Sequence, residues 1–251
     1  EEDFEKMRGH EDKIVKIVVV GNVKKFGKAY ACGTLKNLKE VELGDNCKAI
    51  KNNSFYLHSN LTTINLENVK KIGKKAFSSC SALKGDENST IDLSSAEVIG
   101  EDAFYFCLNI EKVILGSKCK EIRNRTITLC DKLTEINLEK VEVIEDRAFM
   151  NCSNLNNLDL TNVTNIGNNA FNGCYRLTVA HYPDDDEANA KIRAILKEEH
   201  LKDPKNVVEA ILNGKPLEDE ESKLVDKESK FEWDEKEKKI TIFKRIADRE
   251  E

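Results

Sequence analysis

One phrase of residues recurs along this chain, and it limits the possible folds more than any single element does. Leu61, Ile64, Leu66, Val69, Ile72-Gly73, Ala76-Phe77 and Cys80 return as Leu133, Ile136, Leu138, Val141, Ile144, Ala148-Phe149 and Cys152. They return again as Leu155, Leu158, Leu160, Val163, Ile166-Gly167, Ala170-Phe171 and Cys174. Ile91, Leu93, Ala96, Ile99-Gly100, Ala103-Phe104 and Cys107 form a further copy behind a longer approach, Lys84 to Ser89. Phe55, Phe77, Phe104, Phe149 and Phe171, with Ile127 filling the gap, step by 22, 27, 23, 22 and 22 residues. Two copies, 72 residues apart, lengthen the first turn by one residue and put Cys in the Val slot: Leu43-Gly44-Asp45-Asn46-Cys47 and Leu115-Gly116-Ser117-Lys118-Cys119. A decayed copy opens the series at Val15, Val18, Val20, Val23, Phe26-Gly27, Ala29-Tyr30 and Cys32, giving seven units from about 14 to 177.

In each copy the Ile-x-Leu pair reads as a short strand whose two apolar side chains share a face while the residues beside them face out. The Val, Ile, Ala-Phe and Cys that follow carry the chain back across a second face. No copy can bury this set alone, so stacking is required, and stacking produces a solenoid with a parallel strand ladder along one side. The expected fold is an α/β-type repeat solenoid over 14–180, between a charged lead at 1–13 and a small α+β element at 181–251.

The pattern resembles the leucine-rich repeat superfamily and, within it, the BspA-like class of bacterial and protist surface proteins. The Ile-Gly-x-x-Ala-Phe-x-x-Cys half carries the resemblance, which covers about 165 of the 251 residues. The family often has Pro after the last strand Leu, where this chain has Gly44, Glu67, Ser94, Gly116, Glu139 and Thr161. The unit at Arg123-Asn124-Arg125-Thr126-Ile127 has lost Gly, Ala and Phe together. The resemblance implies a non-catalytic binding or adhesion scaffold at the cell surface or secreted, with no cofactor and no catalytic residues to transfer.

Composition narrows the alternatives. The net charge is −6, where a nucleic-acid partner would call for a basic stripe. The longest uncharged aliphatic run, Ile17 to Val20, is far below the roughly 20 residues of a membrane span. The acidic start lacks the basic and apolar regions of a signal peptide, which makes an intracellular interaction scaffold the alternative to a surface role. Eight cysteines would suit a disulfide framework. Here seven of them fall in two repeat slots, Cys80, Cys107, Cys130, Cys152 and Cys174 in one and Cys47 and Cys119 in the other, which reads as core thiols. No Cys-x-x-Cys pair offers a zinc site. Gly21 to Lys28 imitates a phosphate loop but has five residues between its glycines and Ala29 in the Ser/Thr place, so it reads as a repeat copy. Of the four histidines only His58 lies in the repeat, in the Cys slot. Asp184 to Glu187 lacks the spacing of a calcium loop and suits a helix N-terminus instead. No metal site is expected.

Recognition, if it occurs, should use the outward strand positions, which align from unit to unit. The residues between the two apolar strand positions are Glu42, Asn65, Asp92, Ile114, Asn137 and Asp159, and those just before are Glu40, Thr63, Thr90, Lys112, Glu135 and Asn157. Five are acidic and one is basic, although residues 1–180 balance at 25 basic and 25 acidic groups. This strip is expected to prefer a protein partner with a basic or amide-rich surface.

All three prolines and the single Trp lie beyond residue 180. Asp185 to His200 has helical spacing with acidic groups in its first turn, and a second helix should follow Asp203-Pro204 and stop at Asn213-Gly214. Phe231-x-Trp233 and Ile240-x-Ile242 predict a hairpin about Asp234 to Lys239. The segment is expected to cap the solenoid or form a small docked module. An enzyme with its chemistry in this segment is the least favoured class, since it holds no nucleophile, metal pair or glycine loop.

Overall fold

The structure, a computed structural model, describes residues 12–19, 24–26, 35–198, 230–234 and 239–243. The charged lead up to residue 11, Cys32 and the helix expected after Pro204 lie outside these residues. The chain forms two compact units, Glu1–Leu201 and Lys202–Glu251.

The first unit is the solenoid. With strands numbered along the chain, the odd ones form its first ladder: β1 (Lys16–Val18), β3 (Glu40–Glu42), β5 (Thr63–Ile64), β7 (Thr90–Leu93), β9 (Lys112–Leu115), β11 (Glu135–Ile136), β13 (Leu158–Asp159) and β15 (Val179–His181). The even ones form the second: β2 (Lys25–Phe26), β4 (Ala49–Ile50), β6 (Lys71–Ile72), β8 (Val98–Ile99), β10 (Glu121–Ile122), β12 (Val143–Ile144) and β14 (Asn165–Ile166). Every pairing within these ladders is parallel and joins strands one turn apart, and the strand pairing is interrupted between β5 and β7, between β11 and β13 and between β8 and β10. The repeat slots stay in register, so Ile50, Ile72 and Ile99 stack, as do Ile122, Ile144 and Ile166. The longer approach to the fourth copy closes on itself: Asp86 accepts the amides of Asn88 and Thr90 at 2.8 Å each. Gly85 takes φ +94° beside it, where a Cβ would sit 2.1 Å from the Thr90 carbonyl oxygen.

The third side is built from the Ala-Phe turns rather than from helices. Phe55 donates its amide to Ala76 O, Phe77 to Ala103 O, Phe104 to Thr126 O, Ile127 to Ala148 O and Phe149 to Ala170 O, all at 2.7–2.9 Å. The residues two places to either side donate their amides to the next turn in the same way and adopt left-handed backbone: Asn53 and Leu57, Lys75 and Ser79, Asp102 and Phe106, Arg125 and Leu129, Arg147 and Asn151. Each turn thus spends its amides on the next turn's carbonyls, which pays the backbone's hydrogen-bond demand across the stack. The unit that lost Gly, Ala and Phe keeps the same path. Arg125 in its left-handed slot reaches back to the buried Asp102, Nη2 donating to Oδ2 at 3.0 Å while Nε lies 2.8 Å from Oδ1.

Inside, rings stack along the axis: Phe26 on Phe55, Phe55 on Phe77 and Phe77 on Phe104 at 5.1–5.2 Å, and Phe149 on Phe171 at 5.3 Å. Phe26 occupies the Ile slot of its copy, pairing with Ile50 in β4, yet its ring extends the Phe column. Beside the rings runs a column of free thiols. Cys80, Cys107, Cys130, Cys152 and Cys174 each donate to the carbonyl one turn back, of Phe55, Phe77, Phe104, Ile127 and Phe149, at 2.8–3.2 Å. Burial raises the pKa of Cys80, Cys107 and Cys152 well above that of an ordinary thiol, so they pack as small hydrophobes rather than as thiolates.

His58 breaks this column. It is 2% exposed, and its Nδ1 has no hydrogen-bond partner. Burial holds its pKa below the ordinary imidazole value, so the folded state favours the neutral ring. The unfolded chain takes up a proton near pH 6.5, hence this contribution to stability is complete above that pH and is lost as pH falls below it. Urea unfolding between pH 8 and pH 5 is expected to show a steeper loss for the native chain than for His58→Cys, which restores the column. Parallel pH profiles for the two would contradict this assignment.

The helix that follows β15, α1 (Asp186–Glu198), belongs to the first unit. Asp185 caps it by accepting the Ala188 amide at 2.7 Å, and Asp186 and Glu187 face the positive end of its dipole. Ile192 and Leu196 are buried in the solenoid core, so this unit runs past the change of composition near residue 180. In the second unit, β16 (Lys230–Asp234) and β17 (Lys239–Phe243) pair antiparallel, with Phe231 opposite Ile242 and Trp233 opposite Ile240. That register is the expected hairpin.

Candidate functional site

Nine of the twelve outward residues lie on strands of the first ladder, Asn65, Asn137 and Asn157 directly adjoin those strands, and none of the twelve is buried. Register places Glu40 beside Thr63, and Thr90 beside Lys112 and then Glu135. Glu42, Lys112, Glu135 and Asn157 are the exposed members. The remaining eight, Glu40, Thr63, Asn65, Thr90, Asp92, Ile114, Asn137 and Asp159, are half-buried.

Four of their six charged members are ion-paired. Lys16 on β1 bonds Glu40 at 2.9 Å and also Glu42. The Lys16 hydrogen bond holds the Glu42 carboxyl below its usual pKa, and the same bonds raise the lysine. Lys112 pairs with Glu135 across β9 and β11. Such exposed pairs contribute little to stability, and Lys16 offsets only one charge of the strip's acidic excess of five acidic over one basic. Asp92 and Asp159 have no cationic partner among the described residues; each instead accepts a nearby amide, Ser94 at 2.8 Å and Thr161 at 2.9 Å.

Asn65 and Asn137 do something the sequence did not suggest. Asn65 Oδ1 accepts the Leu43 amide at 2.6 Å while its Nδ2 donates to the Leu43 carbonyl at 3.0 Å. Asn137 does the same with Leu115, at 2.7 and 3.0 Å. Leu43 and Leu115 open the two lengthened turns, where pairing with the following strand has ended. Each asparagine therefore substitutes a side-chain amide for the missing peptide of the next strand. The 72-residue spacing of the long turns is matched by the 72-residue spacing of these asparagines, which is the signal that marks them. Asn137→Ala leaves both polar groups of Leu115 without that partner and is expected to cost about 2 kcal/mol in urea unfolding. A loss within about 0.5 kcal/mol, the usual range for surface changes, would show that Asn137 is a free strip residue instead.

Other asparagines bridge neighbouring turns. The side-chain amides of Asn60, Asn109 and Asn154 donate to the carbonyls of Lys36, Ser81 and Asp131 at 2.7–2.8 Å. Among the described residues there is no group of three or more His, Cys, Asp or Glu placed to hold a metal ion, and no helix is long and apolar enough to cross a membrane.

Parallel ladders in registered turns, an apolar column at each repeat slot and an outward polar strip define a leucine-rich repeat solenoid. Residues 10–87 and 86–191 match the profile of the BspA type leucine rich repeat region, in six copies, and the chain belongs to that family. It is similar to the crystal structure of a leucine rich cell surface protein from Faecalibacterium prausnitzii, with 26% identity and a TM-score of 0.62 over 68% of this chain and 48% of that one. It is also similar in fold to a leucine-rich repeat protein from Bacteroides ovatus, with 24% identity and a TM-score of 0.57 over 66% of this chain and 45% of that one. The chain thus spans about half the length of these solved relatives. No curated protein matches it in sequence.

Proposed function

We propose that the chain is a non-catalytic protein-binding module that recognises its partner through the first strand ladder and acts at a cell surface. The observation that carries this reading is the register of that ladder, which sets Glu40 beside Thr63, and Thr90, Lys112 and Glu135 in one row, so that outward side chains of differing chemistry stand side by side on a repeating frame. Rigid presentation lowers the entropy cost of binding. With Lys16 offsetting one acidic charge, the face stays mildly acidic, which suits a basic or amide-rich partner surface. The helix α1 serves as the terminal cap that solenoids require.

The surface assignment draws on family membership and on the cell surface protein to which the chain is similar. Its test is protease treatment of intact source cells, followed by detection of the chain. Digestion while a cytosolic marker survives is the expected outcome. Protection until the cells are lysed would instead favour an intracellular interaction scaffold.

A further inference from the structure

We propose that the second ladder carries, over its first three turns, a binding surface for a sulfated linear polysaccharide. The parallel stacking brings eight lysines together there: Lys24 and Lys25, then Lys48 and Lys51, then Lys70, Lys71, Lys74 and Lys75. Lys48 donates its amide to Lys24 O and Lys70 donates its own to Lys48 O, so these three stand in one column. Lys25 and Lys71 flank Ala49 in the next. Seven of the eight are exposed and Lys75 is half-buried. The segments that build this face, 24–26, 48–56 and 70–79, contain no Asp or Glu.

Acid returns only in the fourth turn, and there it is already paired. Glu97 bonds Lys70 and Lys118, both at 3.3 Å, and Glu101 bonds Lys74. Lys24, Lys25, Lys48, Lys51, Lys71 and Lys75 have no acidic partner among the described residues. Neighbouring turns are about 4.8 Å apart, and strand residues rise about 3.3 Å each. The six charges therefore occupy roughly 10 by 15 Å, a concentration of positive potential on a chain whose net charge is −6.

The make-up of the face selects the kind of polyanion. Every cation on it is a lysine, a point charge that suits a dispersed anion, and none is an arginine able to grip a base edge or a phosphate in bidentate fashion. Phe26, Phe55 and Phe77 point into the core and Tyr56 is half-buried, so among the described residues of this face no exposed aromatic ring offers the stacking platform that single-stranded nucleic acids use. A polysaccharide carrying only uronic carboxylates spaces its charges more widely than these lysines stand. A sulfated chain, with several charges on each disaccharide, matches their density. This surface is separate from the first-ladder strip, and either could fail without the other.

The test uses the full chain and fluorescently labelled heparin as the probe, titrated across a salt series. The patch variant Lys25→Gln, Lys48→Gln, Lys71→Gln is compared with Lys36→Gln, Lys84→Gln, Lys140→Gln, which makes the same change of charge elsewhere on the exposed surface. Circular dichroism and thermal melts establish that both variants fold. The expected result is heparin binding that weakens about tenfold or more in the patch variant, with the salt slope reduced by about 3, and little change in the control. Equal weakening in both variants, or no heparin binding by the native chain, would overturn the proposal. So would tighter binding of oligo-thymidylate or polyglutamate than of heparin at equal salt.

Discussion

Phe77→Ala is expected to destabilise the solenoid by about 4 kcal/mol. Phe77 is fully buried and stacks on Phe55 and on Phe104, each at 5.2 Å, so truncation opens a cavity and removes two ring contacts at once. Each such contact is worth about 0.5–1.5 kcal/mol beyond the area it buries. In a solenoid each turn is held only by its neighbours, so the loss also uncouples the turns on either side. Urea unfolding followed by circular dichroism should show a lower midpoint together with a shallower slope, as the two halves begin to melt separately. Leu57→Ala, at an exposed position of the same side, should cost under about 1 kcal/mol. Similar costs for the two changes would mean that the ring column is not what holds the turns together.

A comparable penalty is expected from Gly116→Ala, where only one methyl group is added. A Cβ at Gly116 would lie 2.0 Å from the Ser94 carbonyl oxygen and 2.7 Å from its carbonyl carbon. Both are backbone atoms of the preceding turn and cannot swing aside, and Gly116 is itself tied to that turn by its amide bond to Leu93 O at 3.1 Å. The turns must part to admit the methyl, at a cost of about 2–3 kcal/mol. Ser117→Ala, one residue on and exposed, should change stability by less than about 0.5 kcal/mol. A thermal melt of each variant decides the matter, and a Gly116→Ala midpoint equal to that of Ser117→Ala would contradict the close approach.

Most of the fold was legible because apolar side chains repeat at fixed slots and each slot has one direction to face. Ile64, Leu66, Val69, Ile72, Phe77 and Cys80 all proved buried, and the thiol column followed from Cys sharing a slot. The left-handed backbone of the third side was not legible, because residues as different as Lys75, Asp102, Arg125 and Arg147 occupy one position of it. There the conformation is imposed by bonds to the next turn rather than by local preference. Phe26 misled for a related reason: its backbone slot was read correctly, but a long ring can leave one column to join another.

The candidate face was read in position but not in chemistry. Counting charges along the strip could not reveal that Lys16 answers Glu40 and Glu42, because partners one turn away are 24 and 26 residues distant in sequence. Nor could it separate Asn65 and Asn137, which mend long turns, from Asn157, which does not. Net charge concealed the lysine face in the same way. Val23-Lys24-Lys25-Phe26-Gly27 and Val69-Lys70-Lys71-Ile72-Gly73 are visibly similar, but as a repeat they testify to the fold, and only the stacking shows that their lysines accumulate.

The proposed function rests on recognition of a partner through the exposed side chains of the first ladder. Its most direct test is affinity capture from cell-surface and matrix extracts, with the native chain and a folded variant carrying Glu42→Lys, Lys112→Glu and Glu135→Lys run side by side. These changes spare the asparagines that clamp the long turns, and they invert the Lys112–Glu135 pair rather than break it. The expected result is a partner that the native chain holds and the variant releases, with a fall in affinity of about tenfold or more in direct titration. Equal retention of that partner by both chains would contradict it, and would leave the strip as a solvated face of a scaffold that binds elsewhere.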